Sequence, residues 1–232
     1  MPSIAENVAA VRARIEAAAG GRRVLLVAAS KMNDAARVRE AVAAGVDACG
    51  ENRVQELLEK NAAHAYDGAP LHFIGHLQKN KVKYLVGTAD LIESVDSPEL
   101  VELIDARAAK LGLVQDILLE VNIGREAAKS GLMREDVEKT VAFAAEKEHV
   151  RVRGLMAIPP VGASPEDSRP YFAAMRELFI DIAGKKYDNT PMDLLSMGMS
   201  GDFEAAIAEG ANMVRVGSAI FGARDYSRPA GR

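Results

Sequence analysis

The sequence predicts an α/β fold, a single (β/α)8 barrel of the TIM type preceded by an N-terminal helix. Short apolar runs alternate with amphipathic segments, and eight such units fit within about 210 residues. The uninterrupted apolar run at 24–31, Val-Leu-Leu-Val-Ala-Ala-Ser-Lys, is typical of a strand buried on both faces of a parallel sheet. An open doubly wound sheet is the weaker alternative, because no Gly-x-Gly-x-x-Gly turn follows an early strand. The 232 residues fit one domain, 1–232, with 227–232 expected to be a frayed tail.

Each element has a local signal. Ser3 and Glu6 have the spacing of a capping box, and Gly20-Gly21 ends the first helix before the strand at 24–31. Further strands are expected at 46–50, 71–75, 91–95, 114–121, 150–158, 194–195 and 213–216. Further helices are expected at 34–44, 54–61, 79–86, 97–111, 134–148, 170–183 and 202–209, with 165–168 as a loop.

Composition excludes several classes of function. A net charge of −4 argues against a dedicated binder of nucleic acid or of an anionic membrane surface, and we interpret the lysines at 79, 81 and 83 as a solvated helix face. Cys49 is the only cysteine, so no internal disulfide can form; we expect a reducing compartment and a small buried side chain at this position. No apolar run is long enough to cross a bilayer, and residues 1–19 are charged rather than signal-like. A cytoplasmic protein is expected.

Lys31 stands where the first strand is predicted to end. Catalytic groups of barrels lie at the carboxyl ends of the strands, and a partly dehydrated amine there has a lowered pKa and attacks aldehydes. The alternative is a lysine that extends from the strand end into water. The other polar residues near strand ends, which a barrel would bring to the same mouth, are Asn52, His76, Asn122, Ser196, Ser200, Arg215 and Ser218.

The loops after the seventh and eighth strands are rich in glycine and serine. Barrels commonly bind phosphate between these two loops, at the N-terminus of a short helix. Backbone N–H groups, hydroxyls and a helix end suit an anion, although ordinary turns use the same residues. The candidate phosphate ligands are Gly198, Ser200, Gly201, Gly217 and Ser218.

Arg215 interrupts an apolar strand, Met-Val-Arg-Val-Gly, where a cation is costly unless it faces a partner. Either a salt bridge at the end of the barrel or a bound ligand would supply that partner. Metal binding is not indicated, because the four histidines at 64, 72, 76 and 149 lack ligand spacing. His76 could be a ligand, a base, a stacking surface or a packing residue.

Several long motifs occur in order between residues 24 and 226. They include Gly-Glu-Asn-Arg-Val-Gln-Glu at 50–56, His-Phe-Ile-Gly-His-Leu-Gln-Lys-Asn-Lys at 72–81 and Val-Asn-Ile-Gly-Arg-Glu-Ala-Ala-Lys-Ser-Gly at 121–131. With the segments 27–32, 154–160, 195–202 and 214–226, they resemble the pyridoxal phosphate homeostasis protein family, relatives of the N-terminal barrel domain of alanine racemase.

The resemblance implies pyridoxal 5′-phosphate as the cofactor. It implies that Lys31 carries the cofactor as an internal aldimine and that Arg215 faces the pyridine nitrogen. Ser200, Gly217 and Ser218 would bind the phosphate, and Asn52, His76, Met156 and Ser196 would line the cofactor.

An arginine can only donate to the ring nitrogen, which leaves the ring a weaker electron sink than a carboxylate partner would. The chain ends after the eighth unit, so we expect one cofactor face to be open. A non-catalytic carrier of vitamin B6, monomeric and able to hand cofactor to other enzymes, is therefore the leading hypothesis. A weak amino-acid racemase and an imine-forming aldolase acting on sugar phosphates are the alternatives.

Overall fold

A computed structural model describes residues 2–160 and 164–222. Within this part of the chain, eight parallel strands close into a barrel in sequence order, with the first strand paired to the eighth. The strands are β1 (Leu25–Ala29), β2 (Ala48–Glu51), β3 (Leu71–Phe73), β4 (Leu91–Val95), β5 (Gln115–Val121), β6 (Val150–Ala157), β7 (Leu194–Ser196) and β8 (Met213–Val216). The predicted (β/α)8 barrel is confirmed.

Helices precede the barrel and connect its strands. They are α1 (Ile4–Ala19), α2 (Ala35–Ala43), α3 (Val54–Ala62), α4 (Val82–Leu85), α5 (Pro98–Leu111), α6 (Arg134–Ala145), α7 (Pro165–Lys185), α8 (Phe203–Ala208) and α9 (Ser218–Phe221). The predicted capping box at the start of α1 is confirmed: the Glu6 amide donates to Ser3 Oγ at 3.2 Å, and Glu6 Oε2 accepts from the Ser3 amide at 2.7 Å.

Besides shifts of a few residues at the ends of other elements, three segments differ from the prediction. Helix α7 begins at Pro165, so the loop expected at 165–168 is wrong: Ser164 and Asp167 form a second capping box, and Pro170 is accommodated within the helix. The segment expected as one helix at 79–86 is a 3-10 turn (Lys79–Lys81) followed by the short α4. Strand β1 ends at Ala29, which leaves Lys31 in the following turn rather than in the strand.

Cys49 and the surface lysines at 79 and 83 lie where the sequence predicts. Cys49 is fully buried on β2, and burial raises the pKa of its thiol to about 12, as expected for a packing residue. Lys79 pairs with Glu99 at the surface, and the ammonium of Lys83 lies 4.9 Å from the centre of the Tyr84 ring. The described helices include none with the length and apolar character needed to cross a membrane.

Alternation along the strands divides the core into two parts. Side chains that point outward pack beneath the helices as one large cluster. Side chains that point inward form a separate apolar inner cluster, which consists of Val27, Ala48, Leu91, Leu118, Met156 and Met213. The remaining inward positions on β4, β7 and β8 are polar, and they lead to the mouth formed by the carboxyl ends of the strands.

Candidate functional site

The first component of the site is the turn that carries Lys31. Beyond β1, the Ser30 amide donates to Gly50 O at 2.9 Å and the Asn33 amide donates back to Ser30 O at 3.2 Å. Asn33 Nδ2 also donates to the carbonyl of Lys31 at 3.1 Å. The side chain of Lys31 is half-buried at the carboxyl end of the barrel. The turn therefore holds a lysine at the mouth through its backbone.

The second component joins the loops after β7 and β8. Ser200 Oγ accepts from the Gly217 amide at 3.1 Å and from the Ala219 amide at 3.3 Å. These amides belong to the first turn around α9, at the end of the barrel where the lysine turn lies. The two loops predicted to form one anion site are thus in direct contact. Ser218, the first residue of α9, is exposed beside them.

Strand pairing brings these two components together. Strand β8 pairs with β1 over four residue pairs, from Leu25 with Met213 to Ala28 with Val216. Gly217 therefore directly follows the strand next to the one that leads to Lys31. A Cβ added at Gly217 would lie 3.3 Å from the Ala29 carbonyl oxygen, so a glycine allows the two strand ends to approach closely.

Arg215 lies inside the barrel, 4% exposed, and is held by named partners. Nη1 donates to Ser196 Oγ at 2.6 Å, and Nη2 donates to Ala157 O at 3.0 Å. Ser196 Oγ in turn donates to Glu93 Oε2 at 2.6 Å, and that oxygen is 3.9 Å from Arg215 Nη1. Burial lowers the pKa of Arg215, while the facing carboxylates act to raise it. An internal ion pair, one of the two predicted alternatives, is present.

The polar inner network, His72, Glu93, Ser196 and Arg215, was only partly predicted. His72 Nδ1 is 2.8 Å from Glu93 Oε1. Burial alone raises the pKa of Glu93, but the hydrogen bond and charge of His72, with the Arg215 guanidinium, bring it below its usual value. Sequence reasoning missed Glu93 as a site residue. Its signal was the same as that of Arg215, a charge inside an apolar strand, Leu-Ile-Glu-Ser-Val.

Three further candidates differ in their surroundings. Asn52 follows β2 at the mouth, and its Oδ1 is buried with no hydrogen-bond partner among the described residues. Met156 is fully buried in the apolar inner cluster. His76 is exposed, with Nδ1 3.5 Å from Asp96 Oδ2. The structure therefore gathers the predicted strand-end residues at one mouth, and their contact with a cofactor stays a prediction.

A second buried carboxyl group also lies near Arg215. Glu120, on β5, accepts a hydrogen bond from Ser130 Oγ at 3.0 Å. Burial raises the pKa of Glu120, and the Asp96 carboxylate acts in the same direction. Sequence reasoning missed this residue too, although it is another charged residue within an apolar strand.

The barrel fold and the residues at its mouth indicate a class of protein, and comparison with known proteins identifies that class. The sequence model for the alanine racemase N-terminal domain matches residues 1–225. A solved structure of PipY from Synechococcus elongatus with pyridoxal phosphate bound has a TM-score of 0.85 at 35% identity, over 95% of this chain and all of that one. The barrel is therefore a racemase-type barrel domain.

Curated relatives give a narrower assignment. The pyridoxal phosphate homeostasis protein of Aquifex aeolicus is 46% identical over 201 residues, 87% of each chain. That of Pseudomonas aeruginosa is 44% identical over 236 aligned residues, which cover 99% of this chain and all of the relative. The chain belongs to the pyridoxal phosphate homeostasis protein family.

Proposed function

We propose that this protein binds pyridoxal 5′-phosphate reversibly at the barrel mouth and acts as an intracellular carrier in vitamin B6 homeostasis. One observation carries the proposal: the lysine turn after β1 lies beside the Ser200–Gly217 junction after β8, because these strands are paired. A ligand with an aldehyde at one end and a phosphate at the other matches this pair of groups.

The residues at the mouth fit the cofactor on independent grounds. Asn52 Oδ1 is a buried acceptor that has no partner in the part of the chain that the structure describes, so a ligand donor would relieve an existing cost. Gly217 and Ala219 present backbone amides at the start of a helical turn, and the hydroxyl hydrogen of Ser200 is not used by its two bonds to them. This donor set suits a phosphate group.

Each residue has a defined role in the proposal. Lys31 Nζ would hold the cofactor at its aldehyde carbon, by a condensation that forms a C=N bond, releases the aldehyde oxygen as one water and is reversed by hydrolysis. Ser200, Gly217 and Ser218 bind the phosphate. Arg215 donates to the ring nitrogen, and Asn52, His76 and Met156 line the ring. Ser196 acts by holding Arg215, since its hydroxyl is already bonded to Arg215 and Glu93.

Arg215 supports a carrier over an efficient enzyme. When bound, the cofactor supplies an aldehyde that condenses with amines and a ring that withdraws electrons. A guanidinium does not give up its proton to the ring nitrogen, and Ser196 and Ala157 fix it in the barrel. The ring nitrogen therefore stays unprotonated, which disfavours carbanion chemistry at an amino-acid α-carbon. A cytoplasmic location, a monomeric state and transfer to cofactor-dependent enzymes belong to the same proposal.

Absorbance and mass spectrometry test the covalent link. Purified protein mixed with the cofactor should gain an absorbance band at the edge of the visible range, and borohydride should fix one cofactor on the peptide containing Lys31. Lys31→Ala should lose this fixation, whereas Lys110→Ala, at an exposed position near the end of α5, should keep it. Unchanged fixation in Lys31→Ala would rule out the assignment.

Isotope exchange separates a carrier from a racemase. The cofactor-loaded protein is incubated with common amino acids in deuterated water, and deuterium at the α-carbon is measured. A carrier should show no exchange beyond that of free cofactor. Exchange at enzymatic rates that disappears in Lys31→Ala would instead establish a racemase-type enzyme.

A further inference from the structure

A buried charged cluster lies behind the Lys31 turn, outside the barrel interior. It consists of Glu51 at the end of β2, Glu56 and Lys60 on α3, and Tyr66. Lys60 Nζ donates to Glu51 Oε1 at 2.6 Å and to Glu56 Oε1 at 2.7 Å, although its side chain is only 8% exposed. Tyr66 OH also donates to Glu51 Oε1, at 3.1 Å. A buried lysine shared by two carboxylates needs an explanation beyond surface solubility.

The cluster binds the backbone on both sides of Lys31. Lys60 Nζ donates to the carbonyl of Ser30 at 2.8 Å, and the Met32 amide donates to Glu56 Oε1 at 2.5 Å. Ser30 is tied again through its hydroxyl, which donates to Glu51 Oε1 at 2.7 Å. The residue before Lys31 and the residue after it are therefore both bonded to this one cluster.

The turn needs such support. Met32 has a φ of 62°, in the left-handed region that residues other than glycine and asparagine rarely adopt. The Met32 side chain is exposed, so packing does not hold this conformation. The backbone amide of Met32, rather than its side chain, makes the hydrogen bond to Glu56. The direction in which Lys31 leaves the chain thus depends on a conformation that the cluster stabilises.

We propose that Lys60 is a positioning residue, which acts with Glu51 and Glu56 to hold the Lys31 turn so that its amine faces the aldehyde of the ligand. The inference rests on the proposed function, because it assigns to the cluster the reactivity of the amine that binds the cofactor. Removing the cluster should slow attack by Lys31 and leave the phosphate site intact, since Ser200 and Gly217 belong to other loops.

Two variants test the inference. Lys60→Met keeps most of the length of the side chain and removes the ammonium group. Glu56→Ala removes the acceptor of the Met32 amide at a position that is 20% exposed, so it should fold even if Lys60→Met does not. Lys110→Met and Glu59→Ala, exposed positions on α5 and α3, are the matched controls.

Rates of Schiff-base formation are measured by stopped-flow absorbance with pyridoxal phosphate and with pyridoxal, which lacks the phosphate. Both variants should slow the reaction of both aldehydes about tenfold or more, because a misplaced nucleophile loses its orientation. Competition by inorganic phosphate should be unchanged. In the ligand-free proteins, hydrogen exchange at the Met32 amide should be faster in both variants than in the wild type. The controls should match the wild type in each measurement.

The outcomes distinguish the two proposals. A wild type that reacts normally, with folded variants that react at the same rate, overturns the positioning role alone. Slowing that appears with pyridoxal phosphate but not with pyridoxal also overturns it, because the effect would then act through the phosphate site. A wild type that forms no Schiff base with either aldehyde overturns the proposed function and this inference together.

Discussion

The barrel interior contains two neighbouring sets of side chains that contribute in different ways. The apolar inner cluster, which includes Val27, Leu118 and Met213, fills space with hydrophobic side chains. The polar inner network consists of buried groups whose hydrogen bonds fix one another, from His72 through Glu93 and Ser196 to Arg215. The apolar cluster stabilises the barrel by filling its interior. The polar network instead fixes the orientation of the Arg215 guanidinium group.

This difference shows how one interior can serve both stability and binding. A packed methylene group has no orientation to transmit, so the apolar cluster, apart from Met156 that the proposal places against the ring, affects a ligand only by keeping the barrel closed. The polar network holds a cation two residues before the mouth glycine, Gly217. Substitutions in the apolar cluster should therefore change mainly the free energy of unfolding. Substitutions in the polar network should also change the affinity for the ligand.

The largest expected effect is on stability, from the apolar cluster. Leu118→Ala leaves a cavity at a fully buried position on β5, and should lower the free energy of unfolding by about 3 kcal/mol. Denaturant titration measures the loss. At a temperature where the variant is folded, cofactor affinity should remain near that of the wild type. A large loss of affinity without a loss of stability would contradict the division into two sets.

A smaller loss of stability, with a change in ligand binding, is expected from the polar network. Glu93→Gln keeps the shape of the side chain but leaves Arg215 without its nearest carboxylate, and should lower the free energy of unfolding by about 2 kcal/mol. Because Arg215 would lose part of its support, affinity for pyridoxal phosphate should fall as well. Denaturant titration and absorbance titration measure the two effects.

The same variant gives a test by pH. The pKa of Glu93 is below its ordinary value of 4.5 in the folded protein, so its contribution to stability is present above that value and is lost as pH falls through the folded-state pKa. The difference in unfolding free energy between wild type and Glu93→Gln should therefore shrink below pH 4.5. A difference that grows on acidification would mean that Glu93 is protonated in the folded state.

The smallest expected effect is confined to the mouth. Ser200→Ala removes the hydroxyl proton that the proposal gives to the phosphate, and this loss should outweigh the release of the Gly217 and Ala219 amides, so pyridoxal phosphate binding should weaken about tenfold, or about 1.4 kcal/mol. Pyridoxal, which lacks the phosphate, should bind this variant and the wild type equally. An equal loss for both ligands would place the effect in the ring site instead.

Much of the fold follows from local sequence signals. Strands β4 and β8 have the bounds that their apolar runs predict, and α5 ends at Leu111 as predicted and begins at Pro98, one residue after the predicted start at Ser97. The sequence prediction begins this helix at Pro170, whereas α7 begins at Pro165, because Ser164 and Asp167 form a capping box. The signal was present in Ser-Pro-Glu-Asp, and a proline early in a helix proved compatible with it.

The site was less predictable than the fold. Residues at strand ends could be proposed from their order, since parallel strands bring them to one mouth. Lys60 could not, because on α3 its spacing from Glu56 is also that of an exposed ion pair. Only the packing of α3 against β2 and the Lys31 turn buries it. Glu93 was partly predictable. Its apolar neighbours in the sequence predict that it is buried, but they do not predict which residues it binds.

The hydroxyl of Ser200 has a consequence for how long a ligand would stay. The amides of Gly217 and Ala219 already have an acceptor, so an arriving anion exchanges one partner for another instead of satisfying two orphaned donors. Such an exchange gains less than a first hydrogen bond would, and the departing ligand leaves no amide unsatisfied behind it. Under the proposed function, this exchange of partners would favour a short residence time for the phosphate group.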